Sequence, residues 1–418
     1  MSSGTTDPRE RGRLHGERHH AAIRANVAAF RDAAAAAGWG RDVLERAATD
    51  LHGRLPDAER AELDAIGMAA GIAPGAHRAF ALTAHVVAPE ECTVAAAVGS
   101  AAASGATVLF KNSDKIGAPT LVGAGYHRYK EINVVVDLTT DHDVRALGVA
   151  AAGTTGLKMG VNSAGVAVAS NIARTLELRA RERSLDDLRA LDRGEILRRA
   201  LDCGTAWEAA VWAMDAITET PMATPGNLHF AEADRMFIVE GSYDRLALEN
   251  VHDRVVARAN GFVLLDELND PEDDSSPARR SRALEMLLPH AGSITSEHLR
   301  AVSADHANGP GLRSICRHAD DPVDETTLSS MIVAFDPAHP MGSTAEFALG
   351  KPCWSWTSAE SSLIIDVGSQ NGVPEPFADG TAWVNAYRRI PRASRHPSAS
   401  RARFRFQRGR VPGSLSGR

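Results

Sequence analysis

The fold is decided at residues 90–98, Glu-Glu-Cys-Thr-Val-Ala-Ala-Ala-Val, where two acidic residues precede a cysteine and a run of small apolar residues. A second β-prone run, Thr-Val-Leu-Phe, occupies residues 107–110, and an Ala-Ser-Gly sequence at residues 103–105 lies between the two. The polar run Lys-Asn-Ser-Asp follows at residues 111–114. Short β-prone runs joined by a glycine-containing turn predict a hairpin, with the polar run at the end of its second strand.

Cys92 is the candidate nucleophile of this hairpin. A lone cysteine beside a β pattern is usually a buried apolar residue, so the strand alone does not identify a catalytic thiol. Lys111 and Asp114, at the end of the partner strand, are the charged neighbours that favour chemistry. The combination suggests a cysteine that becomes a new N-terminus by self-cleavage and then attacks amides.

The residues upstream of the hairpin have helical periodicity. Leu63, Ile66 and Ala70 recur at helical spacing, and a glycine and a proline follow as stop signals. Residues 15–88 are therefore predicted to be helical. We expect residues 1–91 to form a helical cap or pro-segment in front of the catalytic domain.

Downstream of the hairpin, strands and helices come in blocks. Two further strand pairs are predicted, at residues 132–138 with 144–151 and at 161 with 166–169, and two more strands are predicted at 227–231 and 235–240. Helices are predicted at residues 193–201, at 206–217, and after Ser276-Pro277, with Ser276 as the N-cap. This order indicates one α+β domain from residue 92 to about residue 370, with stacked antiparallel sheets covered by helices.

The composition is that of a globular protein, with 44% apolar and 24% charged residues among 418. No run approaches the roughly 18 apolar residues of a membrane span, and the polar opening, residues 1–24, lacks the apolar segment of a secretory signal. We therefore expect a cytoplasmic protein that does not bind membranes.

The cysteines and histidines do not predict a metal site. The four cysteines lie far apart, without a Cys-x-x-Cys pair, at positions Cys92, Cys203, Cys316 and Cys353. This spacing favours free thiols, and we expect Cys316 and Cys353 to be core residues. A histidine group in a charged helical segment has no further ligand residues nearby and is expected at the solvated surface, at positions His15, His19 and His20. The sequence predicts neither a metal nor a cofactor.

The charge of the chain is distributed unevenly. The formal net charge is −7, yet residues 388–418 contain ten arginines and no acidic residue, which leaves −17 on residues 1–387. An acidic body should repel nucleic acid, and a tail rich in Arg, Ser, Pro and Gly is typical of a disordered appendage. We expect residues 371–418 to be a C-terminal extension without catalytic residues, and no nucleic-acid partner.

Several short segments occur in a specific order along the chain. They are Arg13-Leu14-His15-Gly16, Gly67-Met68-Ala69-Ala70-Gly71-Ile72, Cys92-Thr93, Lys111-Asn112-Ser113-Asp114, Gly160-Val161-Asn162-Ser163-Ala164-Gly165, Asn171, Asn260-Gly261-Phe262, Ser275-Ser276 with Arg279, and Ser314-Ile315-Cys316-Arg317-His318. As an ordered set they resemble the acyl-coenzyme A:6-aminopenicillanic acid acyltransferase family, whose members are N-terminal-nucleophile (Ntn) hydrolases distantly akin to bile-salt hydrolases and penicillin V acylases. The resemblance extends over nearly the whole chain up to Cys353.

The resemblance implies a four-layer αββα Ntn-hydrolase fold that is made as a precursor. The thiol of Cys92 would attack the preceding carbonyl and release residues 1–91, and the new α-amine would then serve as the base. A thiol pKa of about 8.5 and an α-amine pKa of about 7.7–8.0 allow the two groups to exchange a proton near neutral pH. The acyl group of a small acyl amide or an acyl thioester, such as acyl-coenzyme A, would pass to the cysteine and then to water or an amine.

The resemblance also gives roles to charged residues beside the nucleophile. Asp114 would accept a hydrogen bond from the new ammonium group, whereas by itself it could be a solvated acid at a strand end. Lys111, which stands where related bile-salt hydrolases have an arginine, would lower the pKa of the thiol. Arg279, in the first turn of a helix, needs an anionic partner because the helix dipole disfavours a cation there. That partner lies either in the active site or on the surface, at Asp273 or Asp274.

Two asparagines complete the expected site. The resemblance implies that Asn171 and Asn260 donate N–H groups to the developing oxyanion and the nucleophile, and losing one such donor should cost about 3 kcal/mol of transition-state stabilisation. Either residue alone is more often a turn or strand-end residue.

Glu91 is a departure from the family pattern, because many relatives have glycine before the nucleophile. Glycine tolerates a strained backbone better than glutamate does, although we still expect cleavage. Two other hypotheses remain open: a non-catalytic binding protein of the same fold, and a cysteine peptidase with His306 or His318 as base. The loops at residues 122–129 and 154–159 do not identify a substrate, and the sequence gives no oligomeric state.

Overall fold

The computed structural model describes residues 5–88, 90–115, 118–119, 126–127, 130–139, 144–180, 190–309, 311–318, 326–369 and 371–388. Two predicted features lie outside these residues. They are most of the loop at 122–129 and the arginine-rich tail beyond residue 388.

Helices fill the chain before the first strand, as the apolar spacing predicts. Five are present, α1 (Pro8–Arg18), α2 (His20–Ala36), α3 (Arg41–Arg54), α4 (Asp57–Ala69) and α5 (Pro74–Val87). The first begins with a capping bond, since the Asp7 carboxylate accepts the N–H of Arg9 at 3.0 Å and Pro8 follows it. The buried face of α2 carries Ile23, Val27 and Phe30 at helical spacing.

Fifteen strands follow in the described chain. They are β1 (Glu90–Ala97), β2 (Val108–Lys115), β3 (Ala118–Pro119), β4 (Tyr126–His127), β5 (Asn133–Thr139), β6 (Arg145–Ala151), β7 (Met159–Asn162), β8 (Ala167–Ile172), β9 (Gly226–Ala231), β10 (Met236–Gly241), β11 (Leu246–Val251), β12 (Val255–Arg258), β13 (Thr326–Ala334), β14 (Thr344–Leu349) and β15 (Ser362–Asp366). Between and after them lie helices α6 (Leu176–Ala180), α7 (Arg193–Ala200), α8 (Ala206–Glu219), α9 (Ser275–Leu287), α10 (Ser296–Ser303), α11 (Pro352–Ser355), α12 (Glu375–Ala378) and α13 (Thr381–Arg388).

The long strands form two antiparallel sheets. One has six strands in the order β12-β1-β2-β13-β14-β15, and the other has seven in the order β11-β10-β9-β8-β7-β6-β5. The predicted pairs β1/β2, β5/β6 and β7/β8 are all present, and the predicted strands β9 and β10 pair with each other. The chain is therefore an α+β protein with antiparallel sheets, as expected from the order of its elements.

Three apolar clusters show how these elements pack. Residues such as Val94 and Ile238 belong to one cluster shared by the six-stranded and seven-stranded sheets. The opposite side of the seven-stranded sheet, at Phe230, packs with apolar residues of α2–α5, α7 and α8. The opposite side of the six-stranded sheet, at Phe110, packs against α9 and α10 at Leu287 and neighbouring positions. Each sheet is thus apolar on both faces, and strand residues of either parity are buried.

The start of α9 differs from the prediction. Ser276 was expected to be the N-cap, but the helix begins at Ser275 and Asp274 takes the cap position. The carboxylate of Asp273 accepts the N–H groups of Ser275 at 3.1 Å and Ser276 at 3.3 Å. Asp273 supplies the capping bonds in place of Ser276 because its carboxylate accepts both bonds and its negative charge is favourable at the helix N-terminus. Arg279 consequently lies just past the first turn.

One polar side chain ties the N-terminal helices to the seven-stranded sheet. Asn26 is buried on α2, where its Nδ2 donates to the carbonyl oxygens of Ile132 at 3.1 Å and Ala152 at 3.0 Å. Its Oδ1 accepts the N–H of Ile132 at 2.7 Å. The helices before Cys92 therefore share both polar bonds and an apolar core with the domain that follows. None of the described helices is both long and apolar enough to cross a membrane.

The aromatic pair between α2 and α5 provides a test of this packing. Phe80 is fully buried, with its ring centroid 5.9 Å from that of Phe30. We expect Phe80→Ala to lower the free energy of unfolding by about 3–5 kcal/mol, because it leaves a cavity in the core. Met68→Ala, at a residue of α4 that is 77% exposed, should change it by no more than about 0.5 kcal/mol. Equal losses in urea denaturation of the two variants would contradict this packing.

Candidate active site

Cys92 lies on β1 with its side chain buried between the two sheets. It is only 2% exposed, and it shares its strand face with Val94 and Ala96, which belong to the apolar cluster between the sheets. Glu91 and Thr93 point to the opposite face, towards α9. The residues on either side of the cysteine therefore contact a different layer of the protein from the thiol.

The main chain of Cys92 is held by two side chains from the segment after β12. Its N–H donates to Asn260 Oδ1 at 3.3 Å, and its carbonyl oxygen accepts from Arg279 Nη1 at 2.7 Å. Arg279 Nη2 also donates to Asn260 Oδ1 at 2.6 Å, and Nη1 donates to Thr93 Oγ1 at 2.8 Å. Because a guanidinium only donates, its bond fixes the orientation of the Asn260 carboxamide, with the oxygen towards Cys92.

Side chains bind the main chain of Cys92 because the pairing with β12 ends before this residue. The β1/β12 pairing runs from Ala97 to Val94, where Val94 lies opposite Arg258, and it stops two residues before Cys92. The edge of β1 at the cysteine is then filled by Asn260, just beyond β12, and by Arg279 from α9. Both side chains are fully buried. The peptide groups of the nucleophile thus contact polar side chains where a continuing strand would otherwise pair.

The two predicted asparagines lie next to each other. Asn260 Nδ2 donates to the carbonyl oxygen of Ile172 at 2.9 Å, and Asn171 Nδ2 donates to that of Ala259. Asn171 Oδ1 lies 2.7 Å from His229 Nε2. These bonds link the two sheets beside the nucleophile. The second N–H of each carboxamide makes no hydrogen bond to any residue the structure describes.

Lys111 lies on the same face of the six-stranded sheet as the thiol. It is buried opposite Val94 in the β1/β2 register, and its Nζ donates to the carbonyl oxygen of Lys158 at 2.7 Å. Burial raises the pKa of the Cys92 thiol to about 12, while the charge of Lys111 acts to lower it. The lysine acts in the expected direction, but in the uncleaved chain desolvation outweighs it.

Asp114 lies opposite Glu91 and not opposite Cys92 in the β1/β2 register. The alternative of a solvated acid is wrong, because Asp114 is fully buried. Thr327 Oγ1 donates to its Oδ1 at 2.6 Å, whereas Oδ2 has no hydrogen-bond partner among the described residues. Burial raises the pKa of Asp114, and the charges of Arg317 and Arg279 act against that rise. Arg317 Nε is 3.7 Å from the same Oδ2.

Glu91 is the residue whose role the sequence did not reveal. Its carboxylate is buried among three guanidinium groups, with Arg317 Nη1 at 2.6 Å, Arg279 Nη2 at 3.7 Å and Arg174 in close contact. Burial alone would raise the pKa of Glu91, but the arginines Arg174, Arg317 and Arg279 hold it at about 2. The anionic partner expected for Arg279 is therefore Glu91, which is buried beside Cys92. Neither of the surface candidates, Asp273 and Asp274, forms an ion pair with Arg279.

Glu90 is bound on the other face of the strand. Lys158 Nζ lies 2.7 Å from Glu90 Oε1 and 2.6 Å from Glu131 Oε1. Lys115 Nζ is 3.4 Å from the other oxygen of Glu131. The two acidic residues before Cys92 thus pair with lysine on one face of β1 and with arginine on the other. These ion pairs join positions far apart in sequence, so no local pattern predicts them.

The backbone at the expected cleavage point is regular. Glu90, Glu91 and Cys92 pair in sequence with Lys115, Asp114 and Ser113. Among the described residues other than glycine, only Asp253 has a positive φ. The uncleaved chain therefore shows no left-handed strain at the bond before the nucleophile.

The histidines do not reach the nucleophile. Among the described residues, no histidine nitrogen lies within hydrogen-bonding distance of the Cys92 thiol, and His318 Nε2 is instead 3.0 Å from Cys353 Sγ. A histidine base for Cys92 is therefore not found. The surface position expected for His19 is also wrong, because this residue is buried, whereas His15 is half-buried, with Gly153 N–H donating to its Nε2 at 3.0 Å. Of the two predicted core cysteines, Cys316 is buried and Cys353 is half-buried.

Comparisons with known proteins give structural matches only. No protein-family model matches the chain, and no curated protein matches it. The chain is similar to the Caenorhabditis elegans ortholog of N-acylethanolamine-hydrolyzing acid amidase, with 13% identity over 66% of this chain and 100% of that one, at a TM-score of 0.39. A variant of conjugated bile acid hydrolase from Clostridium perfringens matches with 11% identity over 69% of this chain and 94% of that one, at a TM-score of 0.42. Penicillin V acylase from Agrobacterium tumefaciens matches with 13% identity over 68% and 90% of the two chains, at 0.38.

The charge of Lys111 gives a testable prediction for the thiol. Lys111→Met removes the cation that lowers the thiol pKa of Cys92 most, so this pKa should rise and alkylation should slow by about tenfold for each unit of the rise. Lys111→Arg keeps the charge and should alkylate at nearly the wild-type rate. Iodoacetamide labelling at neutral pH, followed by mass spectrometry of the Cys92 peptide, measures both. Equal rates for Lys111→Met and wild type would contradict this role of the charge.

Proposed function

We propose that the protein is an amide hydrolase of the N-terminal-nucleophile type, with the thiol of Cys92 as the nucleophile. The observation that carries the proposal is the pair of bonds from Asn260 and Arg279 to the main chain of Cys92. A cysteine with only a packing role needs no buried arginine on its carbonyl oxygen, and burying that arginine is costly. Lys111, on the face of the thiol, adds a second cation for which packing gives no reason.

The first proposed step is cleavage of the Glu91–Cys92 bond. The thiol adds to the carbonyl carbon of Glu91, the peptide nitrogen leaves that carbon and takes a proton, and a thioester joins Glu91 to the sulfur. Water then hydrolyses the thioester, which gives the α-carboxylate of Glu91 and the free thiol of Cys92, beside the α-amine released in the first step. Asn260 Oδ1 accepts the peptide N–H of Cys92 in the intact chain. The same oxygen is placed to accept a hydrogen bond from the new amine, which supports this step.

Asp114 would bind that amine in its ammonium form. Its Oδ2 lacks a hydrogen-bond partner among the described residues, and its position opposite Glu91 is where the chain would be cut. An ammonium group there would supply the missing donor and pair with a buried carboxylate. In this way Asp114 and Asn260 would hold the amine beside the thiol.

In the mature enzyme the amine is the proposed base. It takes the thiol proton, the sulfur adds to the carbonyl carbon of an acyl amide, and the leaving amine takes the proton back. The unused N–H groups of Asn171 and Asn260 are the proposed donors to the oxyanion. Water, activated by the same amine, then hydrolyses the acyl thioester. If an amine replaces water as the acceptor, the same acyl-enzyme gives acyl transfer, and an acyl thioester such as acyl-coenzyme A can replace the amide as the acyl donor.

We assign the chain the four-layer αββα Ntn-hydrolase fold, in which residues 1–91 are the pro-segment, 92–370 the catalytic domain and 371–418 an extension. The three apolar clusters, one between the sheets and one on each outer side, support the layers. Because α2–α5 share a core with the seven-stranded sheet, the released residues 1–91 should remain bound as a small subunit. The proposed partner is a small acyl amide, and the proposed compartment is the cytoplasm, in line with four free thiols.

Replacing Cys92 tests both the cleavage and the hydrolysis. We expect the wild type to give two chains by intact mass spectrometry, ending at Glu91 and beginning at Cys92, and to hydrolyse acyl anilides. Cys92→Ala should remain one chain and lose activity by a factor of about 10³ or more, because it lacks the nucleophile. Cys203→Ala, which removes a half-buried cysteine elsewhere, should behave as wild type. Unchanged turnover in Cys92→Ala would reject the enzyme in favour of a binding protein.

The rate of self-cleavage should depend on pH. Because burial holds the pKa of the Cys92 thiol at about 12 in the uncleaved chain, the thiolate fraction rises about tenfold for each pH unit below that value. Cleavage of chain freshly made in a cell-free system should therefore accelerate by about tenfold per unit between pH 6 and 8. Gel electrophoresis over time measures it. Cleavage at a rate that is independent of pH would show that deprotonation of the thiol does not limit the step.

A further inference from the structure

Four residues that the proposed reaction does not use bring nitrogen and sulfur ligands together. They are His306, Cys316, His318 and Cys353. The Nε2 of His318 lies 3.0 Å from Cys353 Sγ and 3.4 Å from Cys316 Sγ. Ligand atoms of His306, His318 and Cys353 all lie within 4.8 Å of one another. We propose that these four side chains bind one Zn²⁺ ion, contrary to the expectation from sequence that the chain has no metal site.

The distances suit a tetrahedral ion. Zinc lies about 2.3 Å from thiolate sulfur and about 2.0–2.1 Å from imidazole nitrogen, so a tetrahedral site separates nitrogen from sulfur by about 3.6 Å. Cys316 Sγ, at 3.4 Å from His318 Nε2, is close to this separation, and Cys353 Sγ, at 3.0 Å, is about 0.6 Å short of it. His306 is exposed, and its ring centroid is 5.3 Å from that of His318. Its side chain can turn towards the other three ligands without disturbing the core.

The ligand chemistry selects the metal. Two thiolates and two imidazoles favour zinc, whereas magnesium and calcium prefer oxygen ligands. Each thiol releases its proton to solvent on binding, so two thiolates neutralise the charge of the ion. The exposed His306 and the half-buried Cys353 leave a path for the ion from solvent. Cys316 is buried on the inner side and closes the site.

Two of the ligands lie on one side of a short segment. Cys316 and His318 are two residues apart, and their side chains meet, with Cys316 Sγ 3.4 Å from His318 Nε2. The residue between them directs its side chain elsewhere. Arg317 is that residue, and its guanidinium contacts Glu91 at 2.6 Å and lies 3.7 Å from Asp114.

A metal at this site would therefore fix the backbone that carries Arg317. The ion would join this segment to His306, beyond α10, and to Cys353 in α11, which are distant in sequence. Cross-linking such segments restricts the loops between them. The importance of this support for catalysis rests on the proposed function, but the zinc site itself does not.

Cobalt binding is the direct test, because Co²⁺ replaces zinc and reports its ligands in the absorption spectrum. Reduced full-length protein is titrated with Co²⁺ and then with Zn²⁺. We expect one cobalt per chain, with the thiolate charge-transfer and tetrahedral bands, and displacement by zinc. Reduced wild-type protein that binds no cobalt, or that holds a Cys316–Cys353 disulfide which reductant does not open, would overturn the proposal.

Variants assign the ligands. Cys353→Ser and His306→Ala should each weaken cobalt binding by more than the roughly 10–100-fold that loss of an outer-shell partner costs. Both sites are partly or fully exposed, so these variants should fold, and circular dichroism checks this. Cys203→Ser is the matched control and should bind cobalt as wild type does. Undiminished binding in Cys353→Ser and His306→Ala would show that the cluster is not the site.

One further measurement separates this proposal from the proposed function. Cobalt binding should be unchanged in Cys92→Ala, which cannot react, so a failure of the amidase proposal leaves the metal test valid. Loss of binding in that variant would place the metal at the nucleophile and overturn the site.

Hydrogen exchange of the peptide containing Arg317 should speed up when zinc is removed. Unchanged exchange would refute the support of Arg317 by the metal.

Discussion

The structure depends on the point where β12 stops pairing with β1. Two residues beyond that point, the peptide N–H and carbonyl oxygen of Cys92 are bound by the side chains of Asn260 and Arg279 and not by a strand. A continuing strand would bury the main chain in a ladder of backbone bonds. Here the ladder gives way to a carboxamide and a guanidinium. The main chain of Cys92 is therefore held by side chains, while the rest of β1 stays paired in the sheet.

The charges before Cys92 give Glu91 a structural role. Glu91 is buried with three arginines on one face of β1, and Glu90 pairs with Lys158 on the other. Removing one partner of a buried ion pair typically costs about 3–5 kcal/mol, so these contacts hold the chain before Cys92 firmly in the sheet. Burial also raises the pKa of the Cys92 thiol to about 12 and so keeps it protonated at neutral pH.

Local patterns in the sequence predicted the elements that depend on local interactions. The hairpins with alternating or small apolar residues and a clear turn were all found, as were the helices before Cys92. Strand β13 was missed because its first half, Thr326 to Ser330, is rich in Ser and Thr, although the strand is buried between β2 and β14. The resemblance brought Asn171, Asn260 and Arg279 together with Cys92. It could not give Glu91 and Arg317 their ion pair, because that contact joins residues 226 positions apart and follows from the folded sheet alone.

Trapping the acyl-enzyme is the most direct test of whether Cys92 is the nucleophile. An activated acyl anilide is mixed with the protein, the reaction is stopped in acid within its first turnover, and the peptides are analysed by mass spectrometry. If Cys92 acts as proposed, one acyl group will be found on the sulfur of a peptide whose first residue is Cys92. Hydroxylamine should remove this group, as expected for a thioester. An acyl group on another residue, or on Cys92 within an uncleaved peptide that still contains Glu91, would contradict this role of Cys92.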